Sequence, residues 1–467
     1  MNVEAGKPYD GFVQAAENRN VPFHFDNGIL ELYLGNAPCM LNEGTSFLIG
    51  QKRGMMAGGY VLFHFSLPLE NYGTLSTGDE TGAPQQKPIT IGIDRKEVDF
   101  FIDGYEDNSQ FTKMKFSFPE LDYFIPSSKM CELTDENVLF ARTPEIISRL
   151  EFLYKEQPVI FLFRLNIDGN RGTKGTAETT SELLLEFAAT DDMEFLLGLY
   201  HIVYNLFSFL CNRQNIALDG ATLKGTCICK GLIEKDGKRD VGDKEKPTSQ
   251  TFFVMNKYKE TLEDEKRISK TIRYGLVAPA FEGLIRLFLD HKVSVFSVHS
   301  SIATRNLLDL KQCLQITAAF EHYQRNFLPE ISSETTLEVY EEVKELIQKY
   351  VDAQTGEKKK KSKRLLKSLA PVVSLQDKIC KTYLGYGHWQ GVKSILSGYF
   401  GEDVTDLANV ANEWRNELAH EKRVFEPDER VISSIRLVEH LNYCIVLRAA
   451  GYSDDCIKSI IEEILTR

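Results

Sequence analysis

The residue pattern of this chain changes once, near Leu262. Before that point, short apolar runs alternate with polar residues and are broken by Gly, Asn and Asp; after it, apolar residues recur every three or four positions. Alternation predicts strands and the longer spacing predicts helices. Because strands come first and helices follow, the pattern predicts an α+β protein, a β-rich antiparallel N-terminal region followed by an all-helical region.

The length of the chain predicts more than one domain. A chain of 467 residues is too long for a single compact core. We expect a β-rich domain over residues 1–190, resembling a sandwich or barrel in outline. A segment with a helix, a β-hairpin and connecting helices should follow over 191–300, and a helical domain over 301–467.

Three segments carry more specific predictions. Residues 144–155 have the apolar spacing of an amphipathic helix. Residues 193–211 are the most apolar stretch, but they include Glu194 and His201, so we expect a buried helix and not a lipid-exposed span. Residues 234–250 are charged and contain glycine, so we expect a mobile loop between two strands.

Charge is unevenly distributed. The chain has a formal net charge of -12, whereas residues 301–467 contain 23 Lys and Arg against 25 Asp and Glu, a net of -2. The first 300 residues therefore hold the other -10, which argues against broad nucleic-acid binding there. The nearly neutral C-terminal part leaves room for a local basic patch.

Cysteines and the first residues indicate a cytoplasmic protein. The nine cysteines are scattered and odd in number, which is typical of reduced thiols. The N-terminus has no apolar segment of the kind found in signal peptides, and residues 193–211 are predicted to be buried, so we expect no membrane partner. No histidine or cysteine group has a metal-ligand spacing, and we expect no cofactor.

The residues that suggest a catalytic site lie at the C-terminal end of a helix predicted over residues 403–420. Asn416 and His420, four residues apart, lie on the polar face of that helix, whereas Arg415 is roughly 140° around the helix from His420. An arginine and a histidine in one pocket suit RNA cleavage without a metal, since imidazole can deprotonate a ribose 2′-OH and guanidinium can hold the phosphate. A structural alternative is that Arg415 pairs with a carboxylate such as Glu421.

The run Arg415-Asn416-Glu417-Leu418-Ala419-His420 resembles the R-x(4–6)-H motif of the HEPN superfamily. The upstream stretch over 307–325 is similar to the first helix of the ApeA-type HEPN domain of bacterial anti-phage proteins, and residues 431–449 and 453–465 supply further helices. The resemblance covers roughly residues 300–467. It implies a metal-independent endoribonuclease that generally works as a dimer and takes part in abortive defence against phage.

The resemblance also implies roles for individual residues. Arg415, Asn416 and His420 would be catalytic, and Glu321 would orient them from the neighbouring helix. Cleavage would leave 2′,3′-cyclic phosphate and 5′-OH ends on unpaired RNA, with tRNA as a candidate substrate. The N-terminal region would sense a phage-derived trigger, and the protein would be a homo-oligomer.

A lysine-rich segment over 357–367 is the second feature with a functional interpretation. It is either a solvated loop or an arm that contacts RNA phosphates. The basic residues assigned to RNA binding are Lys358, Lys359, Lys360, Lys361, Lys363 and Arg364.

Two other classes of function remain open on the sequence. In the first, the helical bundle is a non-catalytic adaptor or dimerisation module, and the N-terminal β region binds a ligand or partner. In the second, the bundle is one half of a toxin–antitoxin pair that a separate nucleotidyltransferase controls.

Overall fold

The computed structural model of the chain describes residues 8–14, 20–26, 28–35, 47–52, 60–64, 92–125, 131–133, 138–140, 145–169, 177–235, 238–255, 271–305, 308–330, 334–368, 373–419 and 428–465. Its internal contacts define two compact units. Unit 1 comprises Met1–Tyr204 and Ala217–Leu262, and unit 2 comprises Asn205–Ile216 and Glu263–Arg467. The boundaries expected at residues 190 and 300 stay a prediction.

Unit 1 contains the strands. They are β1 (Tyr9–Gln14), β2 (Asn20–Asp26), β3 (Ile29–Gly35), β4 (Phe47–Lys52), β5 (Tyr60–His64), β6 (Gly92–Glu97), β7 (Phe100–Asp103), β8 (Ser109–Phe116), β9 (Cys131–Leu133), β10 (Val138–Phe140), β11 (Glu145–Tyr154), β12 (Gln157–Gly169), β13 (Ala177–Thr190), β14 (Gly220–Lys235) and β15 (Lys238–Val254). Thirteen of these described strands form one antiparallel sheet in the order β11-β12-β13-β8-β14-β15-β7-β5-β4-β1-β2-β3-β6, and β9 pairs with β10.

The sheet folds over on itself at one end. Strands β2 and β7 are four places apart in the sheet order, a separation of roughly 19 Å in a flat sheet. The ring centroids of Phe25 on β2 and Phe101 on β7 are nevertheless 5.1 Å apart, and those of Phe23 and Phe63 are 5.5 Å apart. The inner faces of these strands therefore pack against each other and form an aromatic core.

Helices cover the other part of the sheet in unit 1. The helices are α1 (Pro119–Phe124) and the first part of α2 (Met193–Cys211). Phe195 of α2 packs against Tyr154 and Phe187 of the sheet, with ring centroids 5.4 and 5.5 Å apart. Gly198 allows this close approach, because a Cβ at that position would lie 2.1 Å from the Tyr154 hydroxyl.

The amphipathic helix predicted over residues 144–155 is wrong, since this segment is β11. Lys155 and Glu156 both have positive φ, 47° and 65°, and form the two-residue turn that pairs β11 with β12. The pairing shifts register between Ile146 and Ser148. The strand also carries apolar residues on its exposed face, Ile146 at 58% and Leu153 at 73%, so its apolar residues recur at spacings that resemble those of a helix.

The mobile loop predicted over residues 234–250 is also wrong. Strands β14 and β15 pair continuously from Gly220 opposite Phe253 to Lys235 opposite Lys238, so nearly all of that segment is strand. Opposite charges face each other across the ribbon, as in the Lys230–Asp243 ion pair of 2.7 Å. These cross-strand pairs favour the strand despite its low apolar content.

Unit 2 is helical. Besides the end of α2, its described helices are α3 (Tyr274–Val277), α4 (Phe281–Leu289), α5 (Ile302–Arg305), α6 (Leu310–Phe327), α7 (Glu334–Asp352), α8 (Gly356–Ser368), α9 (Leu375–Leu384), α10 (Lys393–Phe400), α11 (Thr405–Ala419), α12 (Glu429–Ala450) and α13 (Asp454–Ile464). The predicted α+β class is confirmed, because an antiparallel sheet region precedes a helical region.

Helix α12 is the centre of unit 2. Helices α4, α6, α9, α11 and α13 all pack against it, and every residue from Leu437 to Leu447 is buried. The Asp428 side chain caps its first turn by accepting from the Val431 amide. Gly451 ends the helix in the left-handed conformation at φ 102°, which glycine adopts without strain.

A buried polar cluster fixes α12 within unit 2. The Glu439 carboxylate accepts a hydrogen bond from Asn212 Nδ2 at 2.9 Å and lies 3.0 Å from His299 Nε2. Burial would raise the pKa of Glu439, but the charge of His299 and the hydrogen bonds lower it to about 2. Glu439 is therefore an ionised group inside the protein, and its partners compensate for its desolvation.

Helix α2 matches the predicted buried helix over 193–211. By length and composition it is the one described helix that could cross a membrane, and 67% of the relevant window is buried within the protein. Its buried residues include Leu199, Val203 and Leu206. This burial is typical of a core helix.

Candidate functional site

Helix α11 positions the motif residues. The Asp403 side chain accepts a hydrogen bond from the Thr405 amide at 2.8 Å, which starts the helix. Val404, Ala408 and Ala411 are buried, so the opposite face of the helix carries its polar residues. The described part of α11 ends at Ala419, and His420 lies outside the described residues.

Arg415 makes an ion pair with Glu321, the residue predicted to support it. Arg415 Nη2 donates to Glu321 Oε2 at 3.2 Å, although the two residues are 94 positions apart in the chain. Arg415 Nη1 also donates to Asn416 Oδ1 at 3.3 Å. Three residues that the sequence assigned to one site are thus brought together by α6 and α11.

Lys378 is a fourth member that the sequence did not indicate. Its Nζ donates to the other carboxylate oxygen, Glu321 Oε1, at 3.1 Å. Glu321 therefore lies between two cations, and the cluster of Arg415, Glu321 and Lys378 has a net charge of +1. Nothing in the local pattern distinguishes Lys378 from other helical lysines; only the packing of α9 against α6 and α11 reveals it.

The two helices that carry Glu321 and Lys378 are each capped by a side chain at the N-terminus. Asp309 caps α6 by accepting from the Gln312 amide, and Phe320, the neighbour of Glu321, is fully buried. Ser374 caps α9 in the same way. The ion pairs are thus held by helices whose apolar faces are anchored in the core.

An apolar depression adjoins Arg415. Helices α6, α11 and α12 line it with Cys313, Leu314, Thr317, Trp414, Arg415, Leu418, Val431 and Ile435. Burial and the nearby Asp309 raise the pKa of the Cys313 thiol to about 12. Cys313 is therefore protonated at neutral pH and is not a nucleophile.

The comparisons with known proteins add no relative. No family model, curated protein or solved structure matches the chain. The resemblance to HEPN proteins therefore stays a prediction from the sequence.

The basic residues assigned to RNA binding lie on a helix and not in a loop. They belong to α8, which packs along α7. Five of them are exposed, and Lys359 is half-buried. On this helix Lys360, Lys363 and Arg364 fall within roughly 100° of one another and form one basic face.

The geometry of Arg415 suits anion binding. Its side chain is 39% exposed, whereas those of Glu321 and Lys378 are 25% and 20% exposed. A guanidinium that is held by a carboxylate on one edge still offers donors on its remaining edge to a phosphate. Within the described ranges, no group of three His, Cys, Asp or Glu side chains is placed to hold a metal.

Proposed function

We propose that the protein is a metal-independent endoribonuclease of the HEPN type. His420 acts as the general base toward the ribose 2′-OH, and Arg415 stabilises the charge that develops on the phosphate. Asn416 orients His420 or the phosphate. The products carry 2′,3′-cyclic phosphate and 5′-OH ends, and tRNA is a candidate substrate.

The observation that supports the proposal is the ion pair between Arg415 and Glu321. A surface arginine on a helix normally samples many rotamers, and fixing its side chain costs up to about 2 kcal/mol. Here a carboxylate from another helix holds the guanidinium, and Lys378 restores the net positive charge. A held, partly exposed guanidinium is what transition-state stabilisation of a phosphate requires.

A homodimer completes the site in this proposal. Arg415 and His420 are roughly 140° apart on an ideal helix, and Glu321 draws the Arg415 side chain toward α6. One straight helix therefore does not aim both groups at the same atom. A two-fold axis would present each residue twice, so that the arginine of one copy and the histidine of the other could share a phosphate.

Helix α8 supplies the RNA-binding surface in the same scheme. Its exposed face of Lys360, Lys363 and Arg364 attracts phosphate groups without sequence preference. RNA held there in an unpaired conformation can reach the in-line geometry that the 2′-OH attack needs. The biological setting is anti-phage defence in the cytoplasm, with the N-terminal sheet sensing a phage-derived trigger.

Cleavage of RNA by purified protein in EDTA tests the proposal. Wild type is expected to cut total RNA and defined tRNAs, and His420→Ala and Arg415→Ala are each expected to lower the rate by at least about a hundredfold. His388→Ala and Arg436→Ala, which change exposed residues of the same types, serve as matched controls. Activity that EDTA abolishes would count against the scheme.

A non-catalytic adaptor is the second candidate, and one observation favours it. Glu321 already neutralises Arg415, as it would in a purely structural ion pair. In that case the N-terminal sheet carries the function by binding a ligand or partner. Full phage resistance in cells that produce His420→Ala, together with no cyclic-phosphate RNA ends during infection, would favour the adaptor.

A further inference from the structure

Helix α7 carries an apolar stripe that faces solvent. Val339, Val343, Leu346 and Tyr350 are 55%, 38%, 64% and 57% exposed. They follow one another at spacings of four, three and four residues, and at about 100° per residue they fall within roughly 60° of the helix circumference. This is the spacing of the seam in a two-stranded coiled coil.

The stripe is separate from the side of α7 that packs within unit 2. Helix α8 lies along α7, and on that side Val351 is buried and Ile347 is half-buried. Exposed apolar side chains scattered singly are ordinary, but four that form a continuous seam mark an interaction surface.

The charges that flank the stripe indicate its partner. Glu342 and Lys349 both lie on the side of the stripe away from α8, and both are exposed. Within the described part of the chain, neither makes an ion pair with another side chain. A flank with one acidic and one basic residue, seven positions apart, can pair with an identical flank that runs antiparallel, because each carboxylate then meets an ammonium group.

We propose that α7 of a second copy of this chain packs antiparallel along the stripe. The two-fold axis passes between Val343 and Leu346, so that Val343 faces Leu346 of the second copy and Val339 faces its Tyr350. Glu342 then lies beside Lys349 of the second copy, and the same contact occurs again on the other side of the axis. This interface does not rest on the proposed ribonuclease activity.

The opposite orientation fits less well. In a parallel pair, the flank that carries Glu342 and Lys349 meets the opposite flank of the second copy, which carries Tyr340 and Ile347. Glu342 and Lys349 would then face no opposite charge. The seam is also short, since a helix of 19 residues spans about 28 Å. We therefore expect a dimer that dissociates at concentrations on the order of micromolar.

Sedimentation equilibrium of the full chain, from about 1 to about 100 µM, tests the interface. Wild type is expected to reach twice the chain mass, and Leu346→Glu to weaken association at least about tenfold, because two buried carboxylates would face the seam. Leu384→Glu is the matched control, since Leu384 is a similarly exposed leucine of unit 2 outside the stripe, at 58%.

Charge exchange tests the orientation. Glu342→Lys alone and Lys349→Glu alone each place like charges across the seam, so each variant should associate more weakly than wild type. A mixture of the two single variants should recover the association, because each supplies the charge that the other has lost. Circular dichroism confirms that every variant keeps its helices.

Two results would overturn the inference. The first is a wild type that is monomeric throughout the concentration range, which would exclude the second copy as the occupant of the stripe. Alternatively, wild type dimerises but Leu346→Glu dimerises equally well, which places the interface elsewhere. A monomeric wild type would also remove the homodimer from the ribonuclease proposal, whereas RNA cleavage and its loss in His420→Ala are measured separately, so failure of this interface and failure of the ribonuclease activity are distinguishable.

Discussion

Substituting Glu439 by glutamine should destabilise unit 2 in a pH-dependent way. The carboxylate is buried and bonded to Asn212 and His299. Its pKa falls from 4.5 to about 2, a difference that corresponds to about 3 kcal/mol at neutral pH. Glu439→Gln keeps the shape of the side chain and removes its charge, so we expect a loss of about that size.

The sign of the pH dependence follows from the lowered pKa. A carboxylate with a lowered folded pKa stabilises the protein fully above its unfolded pKa, here 4.5, and this stability is lost as the pH falls toward 2. Between pH 7 and pH 3 the difference in free energy of unfolding between wild type and Glu439→Gln should therefore shrink by about 2 kcal/mol.

Urea unfolding followed by tryptophan fluorescence measures the difference in free energy of unfolding between wild type and Glu439→Gln. The chain has two tryptophans, Trp389 and Trp414, and both belong to unit 2, so the signal reports on the unit that contains Glu439. Glu429→Gln, an exposed change on the same helix, is the control and should cost less than about 1 kcal/mol. A difference between wild type and Glu439→Gln that is equal at pH 7 and pH 3 would refute the reasoning.

Two further predictions concern the site and the basic helix. Glu321→Gln should change the free energy of unfolding by less than about 1 kcal/mol, because its ion pairs are partly exposed. The same variant should lower the rate of RNA cleavage at least about tenfold, because it releases Arg415. Comparing the unfolding midpoint with single-turnover rates separates the two effects, and an unchanged rate would remove Glu321 from the site. Replacing Lys360, Lys363 and Arg364 together by alanine should reduce the slope of log affinity against log salt by about 2 for single-stranded RNA. Fluorescence anisotropy at several salt concentrations measures that slope, and an unchanged slope would show that α8 does not contact the RNA.

The fold class and several elements could be predicted from the sequence. Helices α2 and α11 have long, regular apolar spacing, which predicts each of them from its own residues. These signals are local, since each depends only on residues within one or two turns. The failures at β11 and β15 occurred where cross-strand contacts within a hairpin decide the conformation, and these contacts do not appear in the pattern of one strand alone.

The candidate site could be predicted only in part. The motif indicated Arg415 and Asn416, the resemblance to HEPN domains implied Glu321, and the structure brings these three side chains together. Lys378 could not be found, because its role depends on how α9 packs and not on its neighbours in sequence. The charge of the basic segment over 357–367 predicts a loop or arm, yet the segment is helical, because lysine and arginine are good helix formers.

In the proposed mechanism, the 2′-OH of the RNA attacks the neighbouring phosphate. The most direct measurement uses two RNA substrates in EDTA, one unmodified and one with a single 2′-deoxynucleotide on the 5′ side of the cut position. The protein is predicted to cut the first, leaving 2′,3′-cyclic phosphate and 5′-OH ends, and to leave the second intact at that position. Cleavage of the deoxy substrate there, or 5′-phosphate ends on the products, would contradict the mechanism.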